Sequence, residues 1–290
     1  MKKLLVLFVL LVVPSLLFAQ DKVLKMSTTT STESSGLLDV LLPEFKKDTG
    51  IDVKVVAKGT GAAIRDGADG NVDVIFVHDP AREEKFVADG LGTKRYYVMY
   101  NDFLIIGPAT DPAGAKGADA AESMKKIAMS EAVFVSRGDD SGTHAKEQEL
   151  WKATALPLKE EDTIFKAKDK EVSFKAVRPA QMKMFMSIGQ GMGKTLTFAE
   201  EKQGYTLTDR GTYVQYKYGR AEGLDLEPIC EGDKTLFNPY GVIPVNPEKH
   251  PHVRFDLADT FAKWLVSERG QQVIADYKLL DKQLFFPDAK

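Results

Sequence analysis

Apolar positions recur along this chain with two periods, and the periods alternate. Val23-Leu24-Lys25-Met26 alternates and predicts a strand. Leu37, Leu38, Leu41, Leu42 and Phe45 then recur at helical spacing, and Gly50 follows as a helix-ending glycine. Ile51 to Val55 alternates again, and Lys58-Gly59-Thr60-Gly61 predicts a tight loop before a short helix over 62–66. Val72 to Val77 is largely apolar, as strands inside parallel sheets are. His78-Asp79-Pro80 opens a helix over 81–88 that closes at Gly90. Strand–helix alternation of this kind predicts an α/β fold with mixed, mostly parallel sheets and helices on both faces.

Tyr96 to Gly107 predicts a strand long enough to pass from one domain into another. A helix over 120–129, a strand at Ala132 to Val135 and a helix over 145–151 follow. Residues 157–175 are highly charged with weak periodicity and are expected at the surface. The pattern then predicts a helix over 196–202, a strand over 205–208, and a helix over 211–218 capped by Asp209. Gly241 to Asn246 reads as a returning strand, expected beside the long strand near Ile105. Two helices close the chain, over 255–266 and 271–277. The organisation expected from this is a first lobe over 20–104, a second over 105–240, and a return to the first over 241–290.

The first residues stand apart. Lys2-Lys3, an apolar run from Leu4 to Val13 and a small residue at Ala19 have the form of a secretory signal peptide over 1–19. The run is shorter than the roughly 20 residues a membrane span needs. No cysteine follows it, so lipid attachment is not expected. Cys230 is the only cysteine, which excludes an internal disulfide, and it is expected to be a buried apolar residue. Lys2 and Lys3 leave with the export segment, so 37 of the 39 basic residues face 42 acidic ones, a net charge of −5. That balance argues against a nucleic-acid partner.

Two polar stretches carry the candidate chemistry, and each lies between a strand and a helix. One is Ser27-Thr28-Thr29-Thr30-Ser31-Thr32. The other is Ser136-Arg137-Gly138-Asp139-Asp140-Ser141-Gly142-Thr143-His144. The start of a helix offers unpaired N–H groups and the positive end of its dipole, and anions settle there. The second stretch adds the Arg137 guanidinium and the Ser141 and Thr143 hydroxyls, while Gly138 and Gly142 let the backbone approach a guest. A fully ionised tetrahedral dianion offers only acceptors, so a matching site offers donors. By itself the hydroxyl run fits a ligand site and a plain capped surface loop equally. Arg137 fits an ion pair with Asp139 or Asp140, which would also orient it for a ligand.

Other chemistries fit less well. Ser141 lacks the Gly-x-Ser-x-Gly frame of a nucleophile elbow, so a secreted serine hydrolase using His144 is the weaker alternative. Ile188 stands where a phosphate loop ending at Gly193-Lys194-Thr195 needs glycine. His78, His144, His250 and His252 show no metal spacing, and His250-Pro251-His252 reads as a turn before a helix. No protein-ligated metal and no cofactor are expected, and the chain is not expected to be an enzyme.

The pattern Arg137-x-Asp139-x-Ser141-Gly142-Thr143 resembles the anion loop of phosphate-type periplasmic binding proteins. Together with Thr28-Thr29-Thr30-Ser31-Thr32 it more specifically resembles the tungstate-binding proteins of ABC importers. Val77-His78-Asp79-Pro80, Val98 to Phe103, Gly189 to Gly193, Tyr205 to Tyr213 and Asn238 to Ile243 are similar to that family too. The resemblance implies a two-lobed type II periplasmic-binding-protein fold with two crossover strands as hinge. It implies one oxyanion, tungstate or molybdate, between the lobes; phosphate or sulfate are the rival ligands. The implied oxyanion-binding residues are Thr29, Thr30, Ser31, Arg137, Ser141, Gly142 and Thr143. Thr60 and Gly61 are further donors, and Asp139 supports. A monomeric periplasmic protein would hand the ion to an inner-membrane permease driven by a cytoplasmic ATPase.

Overall fold

The structure is a computed structural model that describes residues 22–167 and 170–290. The export segment expected over 1–19 lies outside them. The chain opens with β1 (Val23–Thr29), α1 (Thr30–Ser34), α2 (Leu37–Thr49) and β2 (Asp52–Lys58). It continues through α3 (Thr60–Ala68), β3 (Val74–Val77), α4 (Pro80–Ala88) and the long β4 (Tyr96–Gly107). Next come α5 (Ala120–Met129), β5 (Phe134–Ser136), α6 (Gly142–Ala153), β6 (Leu158–Ala167), β7 (Lys170–Pro179) and β8 (Phe185–Ser187). Then follow α7 (Met192–Glu201), β9 (Tyr205–Asp209), α8 (Arg210–Tyr218), β10 (Glu227–Cys230) and β11 (Phe237–Pro244). The chain ends with α9 (Phe255–Leu265), α10 (Glu268–Asp276) and the short strands β12 (Lys278–Leu279), β13 (Lys282–Gln283) and β14 (Phe286–Pro287).

The main sheet has the order β2-β1-β3-β11-β4-β9-β5-β8, with β10 and β14 also pairing to β4. Parallel pairs occupy its two flanks, and the antiparallel pairs gather in the middle, on β3, β11 and β4. β4 belongs to both halves. Its first part, Tyr96 to Asp102, pairs with β11, and its second part, Phe103 to Ile106, pairs with β9. The returning strand therefore lies beside the start of β4, not near Ile105 as expected. Ile105 pairs with Leu207 and Cys230 instead. The second part of β4 is apolar on both faces, and the first buries Asn101 and Asp102 among apolar residues, so hydrophobicity alone gives no register.

Each half of the sheet is packed on both faces. In the first lobe Val74 and Phe76 of β3 join Leu24, Met26, Phe45 and Phe261 on one side. Ile75 and Val77 join Ala63, Phe86 and Ile243 on the other. In the second lobe Phe103 and Ile105 face Phe134 and Trp151, and Leu104 and Ile106 face Leu196 and Tyr213. This period of two with no polar face explains the continuous apolar runs. Cys230 is buried in the second-lobe core, as expected. His250 and His252 turn the chain before α9, each bonding a backbone carbonyl at 2.8 Å, of Ala68 and Gly70.

The described side chains of residues 157–175 are exposed or half-buried, at the surface as expected, and most of the stretch forms the long antiparallel hairpin β6–β7, which weak periodicity did not predict. Ion pairs brace it, with Glu161 accepting from Arg178 at 3.0 and 3.1 Å and pairing with Lys159, and Leu158 and Val177 pack against the second-lobe core. Phe174 of the hairpin meets His144 of α6 edge-on, with ring centroids 5.3 Å apart. Below them Trp151 donates to the buried Glu147 at 3.0 Å, and burial pushes that carboxyl up to about 7. The helix that carries the second polar stretch is thus held from both sides.

Candidate functional site

Among the helices that begin earlier than periodicity suggests, three follow the polar or glycine-rich loops. α3 starts at Thr60, α6 at Gly142 and α7 at Met192. First-turn residues have helical backbone but no intrahelical partner for their N–H, so polar residues and glycine serve well there. Thr60, Gly61, Gly142 and Thr143 consequently lie at helix mouths with backbone donors free of the helix ladder.

The hydroxyl run is divided by the fold. Ser27 to Thr29 are the end of β1, not loop. Ser27 is buried on Asp66 at 3.0 Å, and Thr28 donates to the Phe76 carbonyl at 2.6 Å; both serve packing. Thr29 caps α1 by accepting from the Thr32 N–H at 3.2 Å. Its hydroxyl also lies 3.0 Å from Ser31 Oγ and 2.6 Å from Thr32 Oγ1. Thr30 and Ser31 are exposed at the helix mouth.

Across from it, the loop after β5 coils around one carboxylate. Gly138 and Asp140 both have left-handed backbones, with φ of 58° and 53°. A Cβ on Gly138 would fall 1.9 Å from Ser187 Oγ, so glycine is needed there for space as well as for conformation. Between them Asp139 accepts from Arg137 Nε at 3.1 Å and from its terminal nitrogen at 2.5 Å. Its other oxygen accepts from Ser141 Oγ at 2.6 Å and Ser141 N at 3.3 Å. The guanidinium reaches Thr143 Oγ1 at 3.3 Å. Arg137 and Asp139 are only 16% and 11% exposed, so the pair is sheltered and rigid. Ser141 caps α6 and gives its proton to Asp139. His144 Nδ1 accepts from the Asp140 N–H at 3.3 Å, and burial lowers its pKa. The hydroxyl and the imidazole thus face different partners, which is not the geometry of a nucleophile with its base.

The two stretches face each other. A Cβ on Gly142 would stand 3.9 Å from His78 Cε1, and His78 Nε2 is 3.2 Å from Thr29 Oγ1 and 3.3 Å from Ser31 Oγ. The lobes therefore meet with a hydroxyl turn on one side and the Arg137 loop on the other. Thr60 and Gly61 stand apart from both: no hydrogen bond among the described residues ties them to Thr29 or Arg137. Arg82 is their neighbour, its Nη1 3.1 Å from where a Gly61 Cβ would be. Among the described residues no group of His, Cys, Asp and Glu could hold a metal ion.

A family model described as PBP superfamily domain matches residues 19–269. The tungstate-binding protein TupA of Peptoclostridium acidaminophilum is 45% identical over 269 residues, covering 91% of this chain and 85% of that protein. The chain belongs to the tungstate-binding protein family of the PBP superfamily. The solved tungstate-binding protein TupA of Desulfovibrio alaskensis G20 is 48% identical, with a TM-score of 0.83 over 92% of this chain and 99% of that one. The solved tungstate ABC transporter protein of Geobacter sulfurreducens is 47% identical, with a TM-score of 0.68 over 88% and 99%. The two-lobed α/β architecture implied by the resemblance is borne out.

In this tungstate-binding family member, His78, which the sequence did not single out as a site residue, stands where the two stretches meet. His78 follows β3 and stacks on Tyr240, with centroids 4.7 Å apart. Its Nδ1 lies 3.1 Å from Asn238 Oδ1, and Asn238 donates to Asn101 at 2.8 Å. Arg82 pairs with the α4 cap Asp79 at 2.6 Å. Arg210 grips Asp102 through two nitrogens, at 2.5 and 2.6 Å, where β4 changes lobes. The one hint for His78 in the sequence is its place directly after a buried strand, where functional groups often lie in α/β folds, and that place alone does not single it out.

Proposed function

We propose that the protein is the extracytoplasmic solute-binding component of an ABC importer. It captures tungstate between its lobes and delivers it to a membrane permease. The observation that carries this reading is that the Thr29–Ser31 turn and the Arg137–Thr143 loop face each other, with Gly142 against His78. The sheltered carboxylate of the loop, Asp139, is paired with Arg137 and Ser141, while the exposed Asp140 gives its N–H to His144. Thr29, Thr30 and Ser31 would approach from one lobe and Arg137, Gly142 and Thr143 from the other; Ser141 would join them by turning its hydroxyl proton from Asp139 to the ion, and Thr60 and Gly61 would add donors at the rim. Nothing in this set would alter the ion covalently. The apolar segment at the start of the chain supports export to the periplasm, and among the described residues no helix is long and apolar enough to cross a membrane. The protein acts as a monomer in this reading.

A ligand that binds only the folded form adds about 4 kcal/mol of stability at a thousandfold excess over its dissociation constant. Thermal melting of the mature chain should therefore shift upward strongly with tungstate, and also with molybdate, which shares its shape and charge. A clear shift with phosphate beside none with tungstate would contradict the reading.

A further inference from the structure

His78 stands in the cleft as a half-buried imidazole whose two nitrogens face different partners. The Asn101–Asn238 amide chain orients Asn238 so that its Oδ1 faces the ring and its Nδ2 faces Asn101. Asn238 Oδ1 can only accept, so the ring proton sits on Nδ1. In the neutral ring Nε2 is then a lone pair. It can only take a hydroxyl proton from Thr29 or Ser31, at 3.2 and 3.3 Å. Those are protons that an oxyanion between the lobes would otherwise receive. A dianion has no proton to offer in return, so a lone pair beside it is a mismatch.

Resting on the oxyanion-binding reading, we propose that His78 is a further residue of the ion site and takes up one proton as the dianion enters. The proton comes from solvent and adds to Nε2; no other bond forms or breaks. The imidazolium then donates from both nitrogens, and the Thr29 and Ser31 hydroxyls are released to point at the ion. Burial holds the ring neutral beforehand, with its pKa below the usual histidine value. Asp79 in its own loop and Asp209 at the mouth of α8 pull the other way. Tyr240 beneath it stays protonated, because burial raises its pKa. Across the cleft Arg137 is paired to Asp139. Two added negative charges within about 4–6 Å favour the imidazolium.

Titration calorimetry with sodium tungstate, on the mature chain in buffers of different ionisation enthalpy, reads proton uptake directly. At about pH 7.5 uptake should approach one proton per ion. The dissociation constant should rise by up to about tenfold per pH unit above neutrality. His78→Gln should bind tungstate with no uptake and a flat pH profile. Asn238→Leu removes the acceptor that fixes Nδ1–H, so the neutral ring can carry its proton on Nε2 and uptake should fall with His78 still present. Glu147→Gln, which removes another group titrating near neutrality, should leave uptake unchanged. Tight binding by the wild-type chain without proton uptake, or undiminished uptake in His78→Gln, would overturn the proposal. Absence of any tungstate binding would instead overturn the reading it rests on.

Discussion

Arg137→Ala is expected to weaken tungstate binding more than any other single truncation in the cleft. The substitution removes a sheltered guanidinium and its bond to Thr143. A hydrogen bond to a charged group contributes about 1.5–3 kcal/mol. The larger effect comes from what stays behind. Asp139 keeps only its bonds to Ser141, and its carboxylate, 11% exposed, becomes an unpaired negative charge facing a dianion. Stranding one partner of a sheltered charge pair costs about 2–5 kcal/mol in binding. Each 1.4 kcal/mol is about a factor of ten, so affinity should fall by about two to three orders of magnitude. Arg137→Lys keeps the charge but loses the planar fork and should fall between. Adding Asp139→Asn to Arg137→Ala should recover part of the loss. Calorimetry on the four proteins reads these differences; an Arg137→Ala affinity within about threefold of wild type would exclude a role for the guanidinium.

Gly142→Phe is expected to hold the lobes apart. Gly142 is the first residue of α6, and its backbone is not in the left-handed region, so larger residues can adopt it. A methyl group would sit at ordinary contact distance from His78, 3.9 Å away. A phenyl ring needs the space that His78 fills. Gly142→Ala should therefore bind nearly as wild type, and Gly142→Phe should lose about a hundredfold in affinity, about 2.7 kcal/mol. Both should melt within a few degrees of the ion-free wild type, because no core contact is touched. Small-angle scattering should show the wild-type chain contracting with tungstate and Gly142→Phe remaining extended. Closure by Gly142→Phe with unchanged affinity would show that the lobes do not meet at this glycine when the ion is bound.

Much of this arrangement was legible in the sequence, and the gaps have physical causes. β3 and the second half of β4 could be read because strands buried on both faces have no polar alternation to confuse them. The same property hid the register of β11, since no face distinguishes one pairing from another. The β6–β7 hairpin was missed because ion pairs such as Arg178–Glu161 brace it, and hydropathy does not register charge pairing. The Arg137 loop was legible because two glycines, a guanidinium and two hydroxyls stand within seven residues. The Thr29 turn was legible as chemistry but not as structure, for half of the hydroxyl run is strand. His78 was not legible as a site residue. Its partners Thr29 and Asn238 lie 49 and 160 positions away, and only the folded sheet brings them to its two nitrogens.

The most direct test of the whole arrangement is where the heavy atom goes. Tungsten scatters X-rays anomalously, so a crystal of the mature chain grown with tungstate would show its position without reference to any assumed contact. The expected result is one peak between the Thr29–Ser31 turn and Arg137, with Ser141 and Thr143 in its shell and the lobes closed over it. A peak at another helix mouth, such as the start of α3 or α7, with none between the Thr29–Ser31 turn and Arg137, would contradict it.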